Sequence, residues 1–205
     1  MSKEKFEKNV FINCPFDDKY NELLKPLLFT IIKVGFEPRI ASERLDSGEV
    51  RLEKIIELIL ETKYGIHDLS RCKSTKENEY SRFNMPFELA IDLACREFST
   101  DKKINNKTFL ILEEEKYSVQ KTLSDLSFSD TECHKGEPEE LVYVVRNWFQ
   151  KTGYSDIESP SSIWDAYNYF YADLFEKKTK DGFSKKAIER LPMTEFLEEI
   201  RYWCS

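Results

Sequence analysis

The chain has 205 residues, 40% of them hydrophobic and 14% aromatic, with a formal net charge of -7, enough for one sizeable core or for a core domain with a small appendage. The acidic balance argues against a broad surface that grips a nucleic-acid backbone and leaves room for a local basic pocket holding a small anionic ligand. No apolar run approaches the roughly 20 residues of a membrane-spanning helix, and "MSKEKFEKN" leads straight into a strand rather than a signal-peptide core, so a cytoplasmic protein is expected.

In chain order, "NVFINC" (9–14), "FEPRIA" (36–41), "YGIHDL" (64–69) and "KTFLIL" (107–112) read as strands, rich in β-branched and apolar residues. The stretches between them read as helices. "DKYNELLKPLLFTIIKVG" ends on the helix-stop Gly35, with Pro26 expected to bend or split it. "SGEVRLEKIIELILETK" carries Val50, Leu52, Ile55, Ile56 and Ile59 near a 3.6-residue period. In "YSRFNMPFELAIDLACREF", Asn84 is placed to cap a helix and Pro86 to sit in its first turn. Glu88 follows within about one turn, either as an ordinary first-turn glutamate favoured by the helix dipole or as a catalytic carboxylate aimed into a cleft.

Strand and helix alternating with short connections predict an α/β doubly wound parallel sheet. Beyond "LILEEE" one helix and one short strand are expected before a helix beginning near Pro138. From there "EELVYVVRNWFQ", "SIWDAYNYFYADLFEKK" and "TEFLEEIRYWC" place Trp, Tyr and Phe at helical spacing, which reads as packing or as a surface for a protein partner or a second copy of the chain.

In such a sheet, ligands sit at the carboxyl ends of the strands, where helices begin. Asn13 and Cys14 end the first strand, Arg39 lies near the end of the second, and His67, Asp68 and Ser70 end the third, so one rim gathers them with Glu88. Ser47 and Gly48 precede a helix whose first turn carries Arg51, an arrangement suited to a phosphate. Each has a plainer role: Asp68 as a turn brace, Arg39 and Arg51 as ion-pair partners of Glu43 and Glu49, His67 as a satisfied core residue, and Glu88, Asp92 and Arg96 as a solvated ion-pair stripe. The five cysteines are scattered without CxxC spacing, which favours reduced thiols, and a metal site from His67, Cys72, Cys133 and His134 lacks zinc-like spacing. GxGxxG, GxxxxGK[ST] and GxSxG are all absent.

Taken together, "VFINCPFDDKYNELL", "GFEPRIASE", "DSGEVRLEKI", "YGIHDLSR" and "RFNMPFELAIDL", over roughly residues 8–98, resemble a bacterial family related to nucleoside 2-deoxyribosyltransferases and TIR-like domains, with a weaker echo in 123–148. The resemblance implies a flavodoxin-like sheet; a nucleotide-binding domain is accordingly expected over 1–135, and the aromatic spacing makes 136–205 a helical extension packed on it. It implies that Glu88 attacks or stabilises an anomeric carbon, that Asp68 lies near sugar and base, and a setting in antiphage defence. "FNMPFELA" replaces the glycine-containing lead of the transferases, which favours hydrolysis.

The expected chemistry is therefore cleavage of an N-glycosidic bond in a nucleotide or NAD, with NAD as substrate and neither cofactor nor metal required. Glu88 would face the oxocarbenium-like sugar and Asp68 or His67 would serve the base or a water. Arg39 and Arg51 would hold phosphate, with Asn13, Ser70 and Asn84 completing the substrate contacts. The alternative is a sensing or adaptor module that binds a nucleotide without cutting it.

Overall fold

The computed structural model describes residues 3–43, 46, 48–71, 83–126 and 130–205. A lead helix α1 (Lys3–Lys8) runs into β1 (Asn9–Asn13), followed by α2 (Asn21–Lys33), β2 (Glu37–Arg39), α3 (Arg51–Leu60), β3 (Tyr64–Asp68), α4 (Asn84–Phe98), α5 (Lys102–Asn105) and β4 (Thr108–Glu113). Then come α6 (Ser118–Thr122), β5 (Thr131–Cys133), α7 (Pro138–Lys151), α8 (Pro160–Lys180), α9 (Lys185–Glu189) and α10 (Met193–Cys204). All the strands pair in parallel in the order β2-β1-β3-β4-β5. This is the flavodoxin-like doubly wound order, whose topological switch point lies between β1 and β3. The expected strands form close to their expected bounds, and β5 is the short strand foreseen before Pro138.

Alternation along the strands divides the interior into two layers. Val10, Ile12, Tyr64, Ile66, Leu110 and Leu112 point to one face, where they join Leu24, Leu27 and Phe29 of α2 and Leu141, Val145 and Phe149 of α7. Phe170 of α8 and Phe196 and Ile200 of α10 belong to the same buried cluster, so the aromatic carboxyl-terminal helices share the core of the sheet. Phe11 points to the other face and packs on Ile55 and Ile59 of α3. Ile111, also on that face, meets Met85 and Leu89 of α4.

Pro26 does not split α2, which runs unbroken with the proline buried inside it. The missing proline N–H deprives only the carbonyl of Glu22, an exposed first-turn residue that water can serve. Gly65, in the middle of β3, is required sterically: a Cβ there would stand 2.7 Å from His67 Nε2 and 2.9 Å from both Asp92 Oδ2 and a ring carbon of Phe109. The glycine lets α4 and the His67 ring approach the strand backbone.

Candidate functional site at the carboxyl ends of β1 and β3

Glu88 lies just past the first turn of α4 and points inward, its side chain only 8% exposed. The amino end of α4 is pinned to the sheet by Asn13, whose Nδ2 donates to the Met85 carbonyl at 2.8 Å. The charged group beside Glu88 is Arg51, the first residue of α3, with Nη2 3.6 Å from Oε1 and its own side chain 60% exposed. That separation is an ion contact rather than a hydrogen bond. Burial pushes the Glu88 carboxyl above its ordinary value, and Arg51 offsets only part of the effect. The site therefore holds a poorly solvated carboxylate beside a cation that solvent can reach.

Cys14 follows β1 directly and is buried. Its thiol is pushed well up, first by burial and then by the charges of Asp68, Glu88 and Asp17. These three carboxylates thus act on one point at the end of β1, next to the switch point.

Asp68 ends β3 and is fully enclosed. Its Oδ1 accepts from Ser70 N at 2.9 Å and from the Ser70 hydroxyl, and its Oδ2 accepts from the Tyr20 hydroxyl and lies 3.0 Å from His134 Nε2. Burial alone would raise this carboxyl, but the hydrogen bonds from His134, Ser70 and Tyr20 outweigh it and hold the group below its ordinary value. The His134 tautomer follows from the backbone. Gly136 N donates to Nδ1 at 3.0 Å, so the ring proton is on Nε2 and faces Asp68 and Ser70 Oγ, the latter at 2.9 Å. His134 is positioned by a tight turn in which Lys135 and Gly136 have φ of 58° and 74° and Glu137 N bonds to His134 O at 2.9 Å. Asp68 is thus the saturated centre of a network joining β3, the start of α2 and the turn before α7.

The remaining expected site residues divide. His67 is not at the mouth of the rim: it is fully buried on the α3/α4 face between the rings of Phe11 and Phe109, as the core-residue alternative described. Its Nδ1 accepts from Asn13 Nδ2 at 3.0 Å and its Nε2 lies 3.3 Å from Asp92 Oδ2. Asp92 in turn lies 3.2 Å from Lys107 Nζ, and this ammonium donates to the carbonyls of Ile59 and Thr62. Asp92 is thus buried rather than part of a solvated stripe, which its position on the sheet-facing side of α4 explains. Asn13, with both amide hydrogens spent on Met85 and His67, braces this layer.

Arg39 does not share a cleft with Arg51. Its guanidinium is bound by Glu43 at 2.6 Å and by Glu61 at 2.8 Å. Glu61 follows α3, whereas Arg51 begins it, and a 10-residue helix spans about 15 Å. The Glu61 carbonyl also accepts from Asn9, the first residue of β1, so the Arg39 guanidinium, although Arg39 closes β2, is drawn to the end of α3 remote from Arg51. Asn84 is the first residue of α4 and exposed, and no side-chain hydrogen bond caps the helix at Phe83. Ser47, expected beside a phosphate, lies outside the described residues, as does Cys72.

The sequence reading passed over Tyr20 and weighed His134 only as a metal ligand; both are distant in the chain from Asp68, and the "HKGE" turn was the available signal for the latter. Among the described residues no group of three His, Cys, Asp or Glu is arranged to hold a metal ion. No protein-family model matches the chain, and neither curated proteins nor solved structures provide a match.

Proposed function

We propose that the protein hydrolyses the N-glycosidic bond of a nucleotide or of NAD, with Glu88 as the carboxylate facing the anomeric carbon. The observation that carries this reading is the contrast between two buried carboxylates on one rim: Asp68 has its acceptors filled, whereas Glu88, among the described residues, has one long contact to a cation open to solvent. A carboxylate with unspent acceptor capacity beside the switch point can take up positive charge that appears on a ribose ring as the base departs. The resemblance of residues 8–98 to deoxyribosyltransferase-like and TIR-like proteins supports the same assignment.

In this reading Arg51 binds phosphate and leaves Glu88 free to stabilise the oxocarbenium-like state or to form a glycosyl ester that water opens. Asp68, ionised and saturated, donates no proton; it anchors the rim and adds negative charge near the sugar. A cationic base such as nicotinamide leaves without an acid, which suits a site whose carboxylates are acceptors.

Incubation with a nucleotide panel and chromatography of released base test the proposal. Glu88→Gln is expected to slow release by at least about 10²- to 10³-fold, the scale of one strong transition-state electrostatic contact, while nucleotide binding survives. Release at the wild-type rate would remove Glu88 from the mechanism. A second reading, a nucleotide sensor without cleavage, is favoured by the low exposure of Glu88 and its contact with Arg51; tight binding with no base release from the wild-type protein selects it.

A further inference from the structure

A concave site lies on the opposite side of the sheet from α4, between α2, α8 and α9, with a volume of about 610 Å³. That lies within the roughly 300–1,000 Å³ of small-molecule sites. Neither Glu88 nor Arg51 lines it. One wall is an aromatic ladder on α8: Trp164 and Tyr167 stack with centroids 5.6 Å apart and planes at 26°, and Tyr171 continues the ladder 6.1 Å from Tyr167 at 32°. Tyr167 is buried and backed by Phe29 of α2, while Trp164 and Tyr171 are half-buried, so the ladder is rigidly supported and still presents surface.

The charges decide what such a shelf accepts. A cation is disfavoured because the Lys25 ammonium already lies over the Tyr171 ring, 5.2 Å from its centroid, where a cationic ligand would seat. Lys25 is held there by the Glu189 carbonyl at 3.2 Å. A phosphate is disfavoured because both cations of the lining are already committed, Lys25 to the Tyr171 ring and the Glu189 carbonyl and Arg190 to Asp18 at 3.7 Å, while Glu22 adds negative charge. What remains compatible is a neutral, flat ring with donors and acceptors on its edge. Asn21 and Asn168 supply amides at the lining; Asn168 donates through Nδ2 to the Trp164 carbonyl at 3.0 Å, which orients its side chain along the ladder. Carboxylates such as Glu22 suit sugar hydroxyls, which are donors.

We infer that the groove between α2 and α8 is a binding site for an uncharged nucleoside or free nucleobase, stacked on Trp164 and separate from the Glu88 rim. The site does not depend on glycosidase activity, although a base released by such an activity belongs to the same ligand class.

Equilibrium dialysis of the full chain with labelled adenosine, with AMP and choline in parallel, tests it. Adenosine is expected to bind saturably, with AMP and choline at least about fivefold weaker, a difference of ~1 kcal/mol. Binding should persist in Glu88→Gln and fall at least about tenfold in Trp164→Leu. Glu22→Lys, an exchange on an exposed helix position, should shift the preference toward AMP without disturbing the core. Absence of saturable adenosine binding up to about 1 mM overturns the inference, as does tighter binding of AMP or choline, or loss of adenosine binding in Glu88→Gln with retention in Trp164→Leu. Base release from nucleotides is unaffected by any of these outcomes and is measured separately.

Discussion

Glu88 and Asp68 illustrate how identical chemistry diverges with surroundings at the scale of single residues. Both are carboxylates on one rim, yet donors from Ser70, Tyr20 and His134 hold Asp68 below its ordinary value while burial pushes Glu88 above it. A raised carboxyl means that the folded chain binds the proton more tightly than the unfolded chain, so stability falls as pH rises from the unfolded value, about 4.3, through the folded one. Ionised Glu88 therefore costs stability at neutral pH. Glu88→Gln, nearly isosteric and uncharged, is expected to raise the urea midpoint at pH 7 while slowing the proposed base release, the usual opposition of stability and function at a site. A lowered midpoint would mark Glu88 as a structural partner of Arg51.

Among the elements, the link from β4 to α6 has its own anchor. Glu113, the last residue of β4, accepts from Tyr117 N at 2.8 Å, Val119 N at 3.0 Å, Ser118 Oγ at 3.0 Å and Thr131 Oγ1 at 2.8 Å. It thereby ties the start of α6 and the edge strand β5 to the sheet and relieves the left-handed Tyr117, whose φ is 66°. Burial opposes ionisation of Glu113, but the donors from Val119, Thr131, Tyr117 and Ser118 prevail and lower its pKa. Its stabilisation is fully present above the unfolded value, about 4.3, and is lost as pH falls through the folded one. Glu113→Gln should therefore destabilise at pH 7, by ~1–3 kcal/mol for weakened hydrogen bonds to a charged group, and should flatten the acid limb of stability against pH measured by urea denaturation. An unchanged acid limb would assign that limb to Asp68 and other carboxylates.

Across the whole molecule, Phe29 of α2 joins the sheet layer to the carboxyl-terminal helices. Its ring stacks on Phe170 at 5.3 Å between centroids and meets Tyr167 and Trp203 at 5.6 and 5.7 Å. Because the buried cluster runs without a break from Val10 to Ile200, residues 136–205 complete the core rather than decorate it. A single coincident unfolding transition is expected from far-ultraviolet circular dichroism and tryptophan fluorescence. Phe29→Ala should lower the stability by about 3–5 kcal/mol in that one transition. A variant that loses only an early fluorescence phase would show that the carboxyl-terminal helices unfold by themselves.

The sheet was legible in the chain because its signals are local. "NVFINC", "YGIHDL" and "KTFLIL" are apolar runs long enough for buried parallel strands, and intervening helical periods force crossovers, so the doubly wound class and the rim at the strand ends follow from sequence alone. Glu88 was legible for the same reason, since an acid just inside an apolar helix start is visible in a short window. Partnership was not. His67 and Asp68 are adjacent in sequence and point to opposite faces, one into the Phe11, Phe109 and Asp92 layer and the other toward Tyr20 and His134. Arg39 and Arg51 read equally as phosphate ligands or as ion-pair partners of Glu43 and Glu49; packing gives Arg39 both Glu43 and the distant Glu61, and sets Arg51 beside Glu88. Residue type and spacing determine which element forms and which rim it reaches, whereas the neighbours that fill a carboxylate's acceptors or a guanidinium's donors come from distant segments, and only the tertiary packing brings those together.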